Sequence, residues 1–343
     1  MRVGILTGGG DCPGLNAVIR AVVRKGTMFY GDSILGFQEG WRGVLENRYL
    51  LLDLDSIPGI VHRGGTILRT SRTNPFKDSN GLERVKATFA ANHLDALIAI
   101  GGDDTLGVAL KLNQAGLKLV GVPKTIDNDL AGTDFCFGFD TAVNIATEAV
   151  DRLHTTAEAH NRVIVVEVMG RDAGWIATYT GIAGGADVIL IPERPIQLDQ
   201  VCDLLKRRHG RGKYFSIVVV AEGARLADQG EQTTQGAKVD EFGHVRLGGI
   251  GGRLAEEIEK RTGYETRMVI LGHIQRGGTP TAFDRVLATR YGVQAIDMVH
   301  QGEFGRMASL HGQTLTSVPL QDALGENRKV DPELYEIASV FFG

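Results

Sequence analysis

Short apolar runs rich in β-branched residues recur along the chain, and longer stretches with apolar residues at helical spacing lie between them. The runs are typical of buried strands, and the longer stretches are typical of amphipathic helices. The predicted strands are Val3 to Leu6, Leu94 to Ile100, Leu117 to Val122, Val163 to Val168 and Phe215 to Val220. The predicted helices include Leu15 to Met28, Thr105 to Gln114, Thr141 to Ala159 and Leu198 to Arg207. Their alternation predicts an α/β fold with mainly parallel sheets.

Glycine-rich or acidic clusters follow the predicted strands directly. They are Gly8 to Asp11, Gly101 to Thr105, Pro123 to Asp129, Met169 to Asp172 and Glu222. In open parallel sheets, ligands bind beyond the carboxyl ends of the strands. We therefore expect these clusters to surround one ligand-binding cleft.

Composition narrows the class of protein. The chain has 343 residues, 43% of them hydrophobic, which is enough for two domains of ordinary size. Its net charge is −4 and its 37 lysines and arginines are scattered, so we expect neither a nucleic acid nor a membrane as partner. No apolar run approaches the roughly 18 residues needed to cross a bilayer. Three cysteines without metal-ligand spacing favour a reducing, cytoplasmic location.

The first polar segment, Thr7 to Asn16, contains Gly8-Gly9-Gly10 between a predicted strand and a predicted helix. Bare backbone N–H groups at a helix start can bind a phosphate. Its glycine spacing matches neither the nucleotide-binding loop that ends in Gly-Lys-Ser/Thr nor the dinucleotide fingerprint. A tight turn that needs positive φ explains the same glycines equally well.

The second segment, Gly101 to Thr105, places Asp103 and Asp104 where a helix start would otherwise attract phosphate. A cation must intervene between carboxylates and phosphate, so Asp103 is a candidate ligand for Mg²⁺. Capping of the helix by one of the two aspartates is the structural alternative.

The third segment, Pro123 to Asp129, combines a cation at Lys124, a hydroxyl at Thr125 and carboxylates at Asp127 and Asp129. An enzyme that phosphorylates a sugar hydroxyl needs a carboxylate to accept the proton and cations to neutralise the transferred group. An ordinary turn of Asp-Asn-Asp composition is the alternative.

Six ordered segments together resemble the signatures of the phosphofructokinase family, from about residue 2 to about residue 300. They are the three above together with Met169 to Gly174, Ala221 to Gly223 and Leu271 to Gly278. The resemblance implies the family's fold: two three-layer α/β domains with mainly parallel sheets and an active-site cleft between them. It also implies a larger phosphoryl-donor domain, 1–138 plus 251–301, and a smaller sugar-phosphate domain, 139–250 plus 302–343.

The resemblance further implies the residues that act on the phosphoryl group. Asp127 would accept the proton of the 1-hydroxyl of fructose 6-phosphate, with Thr125 beside the transferring group. Arg171 would stabilise the charge on that group, unless it forms only a surface salt bridge. Asp103 would carry Mg²⁺ with Asp129 nearby. The remaining residues expected at the donor are Gly10, Arg72 and Gly102.

For the sugar phosphate, the resemblance implies a set of basic residues with a few neighbours. Read alone, His273 would be a buried, hydrogen-bonded histidine, and Arg162 and Arg267 would be solvated charges. In the family, the arginines that match Arg162 and Arg267 come from a neighbouring subunit, which implies a homodimer or homotetramer with shared active sites. The expected set is Arg162, Met169, Gly170, Glu222, Arg267, His273 and Arg276.

The choice of phosphoryl donor depends on two positions. ATP-using relatives usually have glycine where this chain has Asp104, and many have glycine where it has Lys124. A carboxylate at position 104 would repel the α-phosphate of ATP, whereas pyrophosphate is shorter and avoids it. We therefore expect Mg²⁺-dependent transfer from pyrophosphate. Transfer from ATP and a non-catalytic sugar-phosphate-binding paralogue are the alternatives.

Overall fold

A computed structural model describes residues 1–227, 234–239 and 245–343, and for 234–239 and 245–246 it describes the backbone alone. The described residues form two compact units. The first comprises Met1–Thr141 and Arg276–Glu326, and the second comprises Ala142–Val239, Val245–Gln275 and Asn327–Gly343.

Strands and helices alternate along most of the chain. The strands are β1 (Arg2–Thr7), β2 (Ser33–Phe37), β3 (Tyr49–Leu52), β4 (Ala96–Gly101), β5 (Leu119–Pro123), β6 (Val163–Val168), β7 (Val188–Leu190), β8 (Ser216–Ala221), β9 (Thr234–Val239), β10 (Val245–Leu247), β11 (Thr266–Ile270), β12 (Arg306–His311) and β13 (Thr314–Pro319). The α-helices are α1 (Leu15–Lys25), α2 (Trp41–Leu45), α3 (Gly81–Ala91), α4 (Asp103–Gln114), α5 (Phe139–His160), α6 (Trp175–Ala183), α7 (Leu198–Gly210), α8 (Ile250–Thr262), α9 (Ala282–Gln301), α10 (Leu320–Ala323) and α11 (Pro332–Ser339).

The first unit is built on a sheet with strand order β13-β12-β5-β4-β1-β2-β3. Its five central strands run parallel, and each edge strand, β13 or β3, is antiparallel to its neighbour. Side chains such as Leu6, Phe37 and Leu97 are fully buried in its core. Each large aliphatic or aromatic side chain buried in this way contributes roughly 1.5–3 kcal/mol, so this core holds the strand ends in fixed register.

The second unit contains a parallel sheet with strand order β11-β6-β8-β7. Strand β6 pairs with β8 along its whole length, from Val163 opposite Ser216 to Val168 opposite Ala221. Valines on these strands pack with α8 residues such as Leu254 in a core of its own. Strands β9 and β10 form a separate antiparallel pair.

The division of the chain corrects the predicted domain boundaries. Residues 251–275 were expected in the first unit, but they belong to the second, because β11 pairs with β6 and α8 packs against the same sheet. Residues 302–326 were expected in the second unit, but they belong to the first, because β12 pairs with β5 and β13 pairs with β12. Among the described residues, no helix is both long and apolar enough to cross a membrane.

Candidate active site

Three of the predicted clusters meet at one edge of the first unit's sheet. Strands β5, β4 and β1 are neighbours, with Thr7 opposite Ile100 and Gly101 opposite Pro123. The backbone N–H of Gly8 donates to the Ile100 carbonyl at 2.9 Å, and that of Lys124 donates to the Gly101 carbonyl at 3.0 Å. The loops after these three strands are therefore fixed to one another, as the position of the clusters predicted.

Close packing explains the glycines of the loop after β1, which we call the glycine loop (residues 8–14). A Cβ atom at Gly8 would lie 2.6 Å from the Thr105 hydroxyl oxygen, and one at Gly10 would lie 2.7 Å from a guanidinium nitrogen of Arg276. Gly9 has φ +78°, so a tight turn explains this glycine. Its N–H donates to the carbonyl of Ser71, and Arg72 follows as an exposed side chain.

Two basic side chains bind the carbonyl groups of this loop. The Lys124 ammonium donates to the Gly10 carbonyl, and Arg276 Nη1 donates to the Asp11 carbonyl at 3.3 Å. Burial of the ammonium lowers the pKa of Lys124, and the nearby Arg276 lowers it further. Burial also raises the pKa of the neighbouring Cys12 thiol to about 12, so this cysteine stays neutral. Positive charge is thus concentrated beside bare glycine backbone, which suits phosphate.

The two acidic residues after β4 begin helix α4. Gly102 is the N-cap residue, and Asp103 and Asp104 occupy the first turn, so capping by one of the aspartates is not their role. Asp103 is exposed and Asp104 is half-buried. The carboxylate of Asp103 acts electrostatically on Lys124, which places it near the ammonium group.

The loop after β5 alternates buried and half-buried residues. Lys124, Ile126, Asn128 and Leu130 are buried, whereas Thr125, Asp127 and Asp129 are half-buried. The Asp127 N–H donates to the Thr125 hydroxyl oxygen at 3.0 Å. The three residues expected to act on the phosphoryl group or its metal are therefore the ones that solvent reaches. Asn128, which the sequence analysis did not single out, lies between two of them.

The second unit brings together the residues after β6 and β8 that are expected to bind the sugar phosphate. The Glu222 N–H donates to the Val168 carbonyl at 2.8 Å, and the Gly223 N–H donates to the Gly170 carbonyl at 3.0 Å. Gly170 has φ +132°, which an L side chain rarely adopts. These bonds fix Met169, Gly170, Arg171 and Glu222 at one edge of the sheet, with Met169 itself buried at 9% exposure.

The segment after β11 joins the same edge. The Leu271 N–H donates to the Glu167 carbonyl at 3.0 Å, and the Met169 N–H donates to the Gln275 side-chain oxygen at 3.4 Å. His273 lies between them in a 3₁₀ turn and is exposed, so it is not the buried histidine that the residue alone would predict. Arg276 is the last residue of this turn. It belongs to the first unit, where it contacts the glycine loop.

Arg162 and Arg267 lie apart from the other residues expected to bind the sugar phosphate. Arg162 directly precedes β6 and Arg267 is the second residue of β11, whereas Met169 directly follows β6. Arg162 and Met169 are seven positions apart along an extended strand, which is roughly 23 Å at 3.3 Å per residue. Both guanidinium groups instead bind Glu265 Oε1, at 2.7 Å from Arg162 and 2.5 Å from Arg267. Arg267 is exposed, as a solvated charge would be, whereas Arg162 is half-buried, and both form ion pairs with the same carboxylate.

The described residues contain no group of three or more histidine, cysteine, aspartate or glutamate side chains that could hold a metal by themselves. Mg²⁺ is usually held by one or two carboxylates together with substrate phosphate oxygens and water. Asp103 and Asp129 are carboxylates that solvent reaches, so they are suitable oxygen ligands for Mg²⁺.

Comparison with known proteins identifies relatives over the whole chain. A curated relative from Streptomyces coelicolor named pyrophosphate–fructose 6-phosphate 1-phosphotransferase is 59% identical over 100% of both chains. A relative from Mycobacterium leprae named ATP-dependent 6-phosphofructokinase is 54% identical, also over 100% of both chains.

A solved structure, phosphofructokinase from Pichia pastoris in the T-state, has a TM-score of 0.84 and 32% identity. It covers 99% of this chain, and this chain spans 36% of the Pichia chain. The family model described as phosphofructokinase matches residues 2–299. With the matching motifs at the strand ends of both units, these similarities show that the chain belongs to the phosphofructokinase family.

Proposed function

We propose that this chain transfers a phosphoryl group reversibly from pyrophosphate to the 1-hydroxyl of fructose 6-phosphate, giving fructose 1,6-bisphosphate and phosphate. The observation that carries the proposal is the buried Lys124 ammonium against the Gly10 carbonyl, beside strand β4 and the helix start that holds Asp104. A cation beside bare glycine backbone suits the phosphates of the donor, and a carboxylate in the adjoining helix start opposes a nucleotide. The full-length relative named for pyrophosphate supports the same donor.

In the proposed reaction, Asp127 accepts the proton of the 1-hydroxyl while the oxygen of that hydroxyl attacks the terminal phosphorus of pyrophosphate. The bond from that phosphorus to the bridging oxygen breaks, and phosphate leaves with the electron pair. Thr125, tied to the Asp127 N–H, lies beside the transferred group. Lys124 and Arg171 offset negative charge on the phosphoryl oxygens, the main contribution of protein groups to this class of reaction.

We propose Mg²⁺ as the metal of this reaction, held by Asp103 with Asp129 nearby. The ion, when bound, would neutralise charge on the diphosphate. Gly10, Gly102 and Arg72 complete the proposed donor-binding residues. Asp104, in the same first turn as Asp103, would set the donor by its negative charge.

We propose that fructose 6-phosphate is bound by residues that follow strands β6, β8 and β11 of the second unit, together with Arg276. Glu222 would accept hydrogen bonds from the sugar hydroxyls, with Met169 and Gly170 beside the sugar. His273 and Arg276 would bind the 6-phosphate. Arg162 and Arg267 would bind the 6-phosphate of a neighbouring subunit, because roughly 23 Å of strand separates Arg162 from the acceptor residues of its own chain.

The proposed assembly is therefore a homodimer or homotetramer with shared active sites. An apolar strip on the edge strand β11 and the turn after it supports this assembly, because Met268, Ile270 and Ile274 are 42–59% exposed. Exposed apolar side chains on an edge strand are a common subunit contact. The proposed location is the cytoplasm, with which the three free, buried cysteines agree.

Transfer from ATP is the second candidate, favoured by the relative from Mycobacterium leprae. A binding-only protein is the third candidate, and the presence of Asp103, Thr125, Asp127 and Arg171 together weighs against it.

Substitution of Asp127 by serine tests the proposed chemistry. Loss of the base should lower kcat by about a thousandfold, while calorimetric binding of fructose 6-phosphate stays within about threefold of the original. Asp95→Ser is the matched control, since Asp95 is an exposed aspartate whose carboxylate binds the Arg2 N–H beside the opposite strand ends. An unchanged kcat in Asp127→Ser would remove Asp127 from the role of base.

A further inference from the structure

The loop that carries Thr125, Asp127 and Asp129 is closed into a compact segment, residues 124–137, which we call the catalytic loop. Lys124 forms an isolated parallel bridge with Phe137, so the two ends of the loop lie side by side. Two further contacts attach its far side to β12. The Asp134 N–H donates to the Leu310 carbonyl at 2.9 Å, and the Leu310 N–H donates to the Thr133 hydroxyl oxygen at 3.1 Å.

Asn128 is the polar residue that ties the two sides of this loop together. Its side chain is buried, with 1% of the residue exposed. The Oδ1 atom accepts from the Cys136 N–H at 2.8 Å, and the Nδ2 atom donates to the Asp134 carbonyl at 3.3 Å. One amide group thus satisfies both a backbone donor and a backbone acceptor on the opposite side of the loop.

The backbone of Asn128 is equally specific. Its φ is +52°, in the left-handed region that asparagine adopts more readily than most residues with a side chain. This conformation bends the chain between Asp127 and Asp129. Asparagine therefore supplies three properties at once: a left-handed backbone, a hydrogen-bond donor and a hydrogen-bond acceptor.

Resting on the proposed function, we propose that Asn128 is a positioning residue that holds Asp127 and Asp129 in the geometry needed for phosphoryl transfer. Asp127 is then fixed from both sides, by Asn128 after it and by the bond from its own N–H to the Thr125 hydroxyl before it. A general base acts within a hydrogen-bond distance of roughly 2.6–3.2 Å from the atom it deprotonates. Displacement by about 1 Å can cost about a hundredfold in rate.

Asn128→Gly is the substitution that separates positioning from backbone strain. Glycine keeps the left-handed backbone but removes both side-chain hydrogen bonds. We expect kcat to fall by about a hundredfold while KM for fructose 6-phosphate stays within about threefold, because the residues proposed to bind that substrate lie outside the catalytic loop. Asn128→Asp keeps the acceptor for the Cys136 N–H but loses the donor to the Asp134 carbonyl, so we expect its kcat to fall by about tenfold, which is less than in Asn128→Gly.

Asn47→Gly is the matched control. Asn47 also has a left-handed backbone, with φ +51°, and its side chain accepts a hydrogen bond from Asn92 at 2.6 Å. It lies next to α2 and outside the catalytic loop. Because Asn47 is exposed and Asn128 is buried with two bonds, we expect a smaller loss of melting temperature in Asn47→Gly than in Asn128→Gly, with kcat lowered in Asn128→Gly alone.

The outcomes separate this inference from the function on which it rests. Absence of transfer by the unmodified enzyme from both pyrophosphate and ATP would contradict the proposed function and the inference with it. The positioning role alone would be overturned by an active enzyme whose Asn128→Gly variant keeps its kcat. It would also be overturned if Asn128→Gly and Asn47→Gly lost kcat in the same proportion to their loss of melting temperature. Should Asn128→Gly fail to fold, an unchanged kcat in Asn128→Asp would also overturn it.

Discussion

Lys124 is a buried residue with an ammonium group, and burial of a charge costs desolvation free energy. A ligand of opposite charge would offset that cost. Its ammonium binds the Gly10 carbonyl, and burial lowers its pKa. A bound diphosphate would favour the charged form of the lysine. The Asp104 carboxylate is unfavourable for a longer polyphosphate, since like charges in a partly desolvated site repel by several kcal/mol.

Asp104→Gly should therefore admit ATP as a donor. We expect the ratio of kcat/KM for ATP to that for pyrophosphate to rise by at least about tenfold, because each 1.4 kcal/mol of removed repulsion is tenfold. The measurement is the initial rate with each donor at saturating fructose 6-phosphate. Asp104→Asn, which removes the charge at nearly constant size, separates repulsion from steric exclusion. No gain with ATP in either variant would contradict the role assigned to Asp104.

Single residues show both what the sequence could indicate and where it could not. Asp127 and Lys124 were predicted from the strand that precedes them and from the family motif. The reason for glycine at position 10 could not be predicted, because the contact with Arg276 joins residues 266 positions apart in the chain. Asn128 was overlooked because its importance depends on contacts with 134 and 136, which only the folded loop creates.

One buried carboxylate of the first unit binds residues at the starts of two helices. Asp284, in the first turn of α9, accepts from the N–H and the hydroxyl of Thr141 at the start of α5, at 2.8 and 2.6 Å. The Thr141 hydroxyl oxygen in turn accepts from the Thr281 N–H at 3.0 Å. Burial raises the pKa of Asp284 to about 6, and the nearby Asp140 carboxylate raises it further. Asp284 thus couples the starts of α5 and α9.

The raised pKa of Asp284 predicts a pH dependence of stability. Because this pKa is above the ordinary 3.8, the Asp284 carboxyl holds a proton more tightly in the folded chain than in the unfolded chain between pH 4 and 6. The stabilising contribution is complete below pH 3.8 and is lost as the pH rises through 6. It amounts to about 3 kcal/mol, from about 1.4 kcal/mol per pKa unit.

Urea unfolding of the original chain and of Asp284→Asn, between pH 4.5 and 7.5, measures this contribution. The difference between their unfolding free energies should change steeply up to pH 6 and level off above it. Thr281→Ser, which keeps the hydroxyl at the start of α9, is the control and should follow the original chain. A difference that stays constant across the range would refute the assigned pKa.

At the scale of elements, apolar runs identified the strands β1, β4, β5, β6 and β8 and missed the strands on either side of them. The predicted strand Val163 to Val168 matches β6, and the predicted helix Thr141 to Ala159 lies within α5. The edge strands β3 and β13 were not predicted: β3 is an apolar run of only four residues, two of them exposed, and β13 mixes polar and apolar residues without a continuous apolar run. Each of these edge strands is positioned by pairing with its neighbour, β3 with β2 and β13 with β12. The pairing of β13 with β12 also places residues 302–326 in the first unit, where the sequence did not predict them.

At the scale of the whole molecule, Arg162 and Arg267 are separated from the other residues proposed to bind the sugar phosphate. This separation predicts active sites that are shared between subunits. Both arginines are held side by side by Glu265, whose pKa the Arg162 guanidinium lowers. A pair of forked guanidinium groups suits a phosphate dianion. A single chain would then lack part of its own sugar-phosphate site.

Mixing two inactive variants tests this sharing. Asp127→Ser and Arg162→Ala should each be nearly inactive, but a mixed dimer contains one intact site made of Asp127 from one chain and Arg162 from its partner. Unfolding and refolding an equal mixture should restore about a quarter of the original activity, from random pairing of two chains. The control is an equal mixture of Asp127→Ser with the double variant. No recovery in the first mixture would place Arg162 in the site of its own chain.

The most direct test of the proposed function is the initial rate of fructose 1,6-bisphosphate formation from fructose 6-phosphate and Mg²⁺, with pyrophosphate and ATP as donors in parallel. We expect turnover with pyrophosphate and, with ATP, a kcat/KM lower by at least about a hundredfold. Turnover with ATP alone would contradict the roles assigned to Asp104 and Lys124 while leaving the family membership intact.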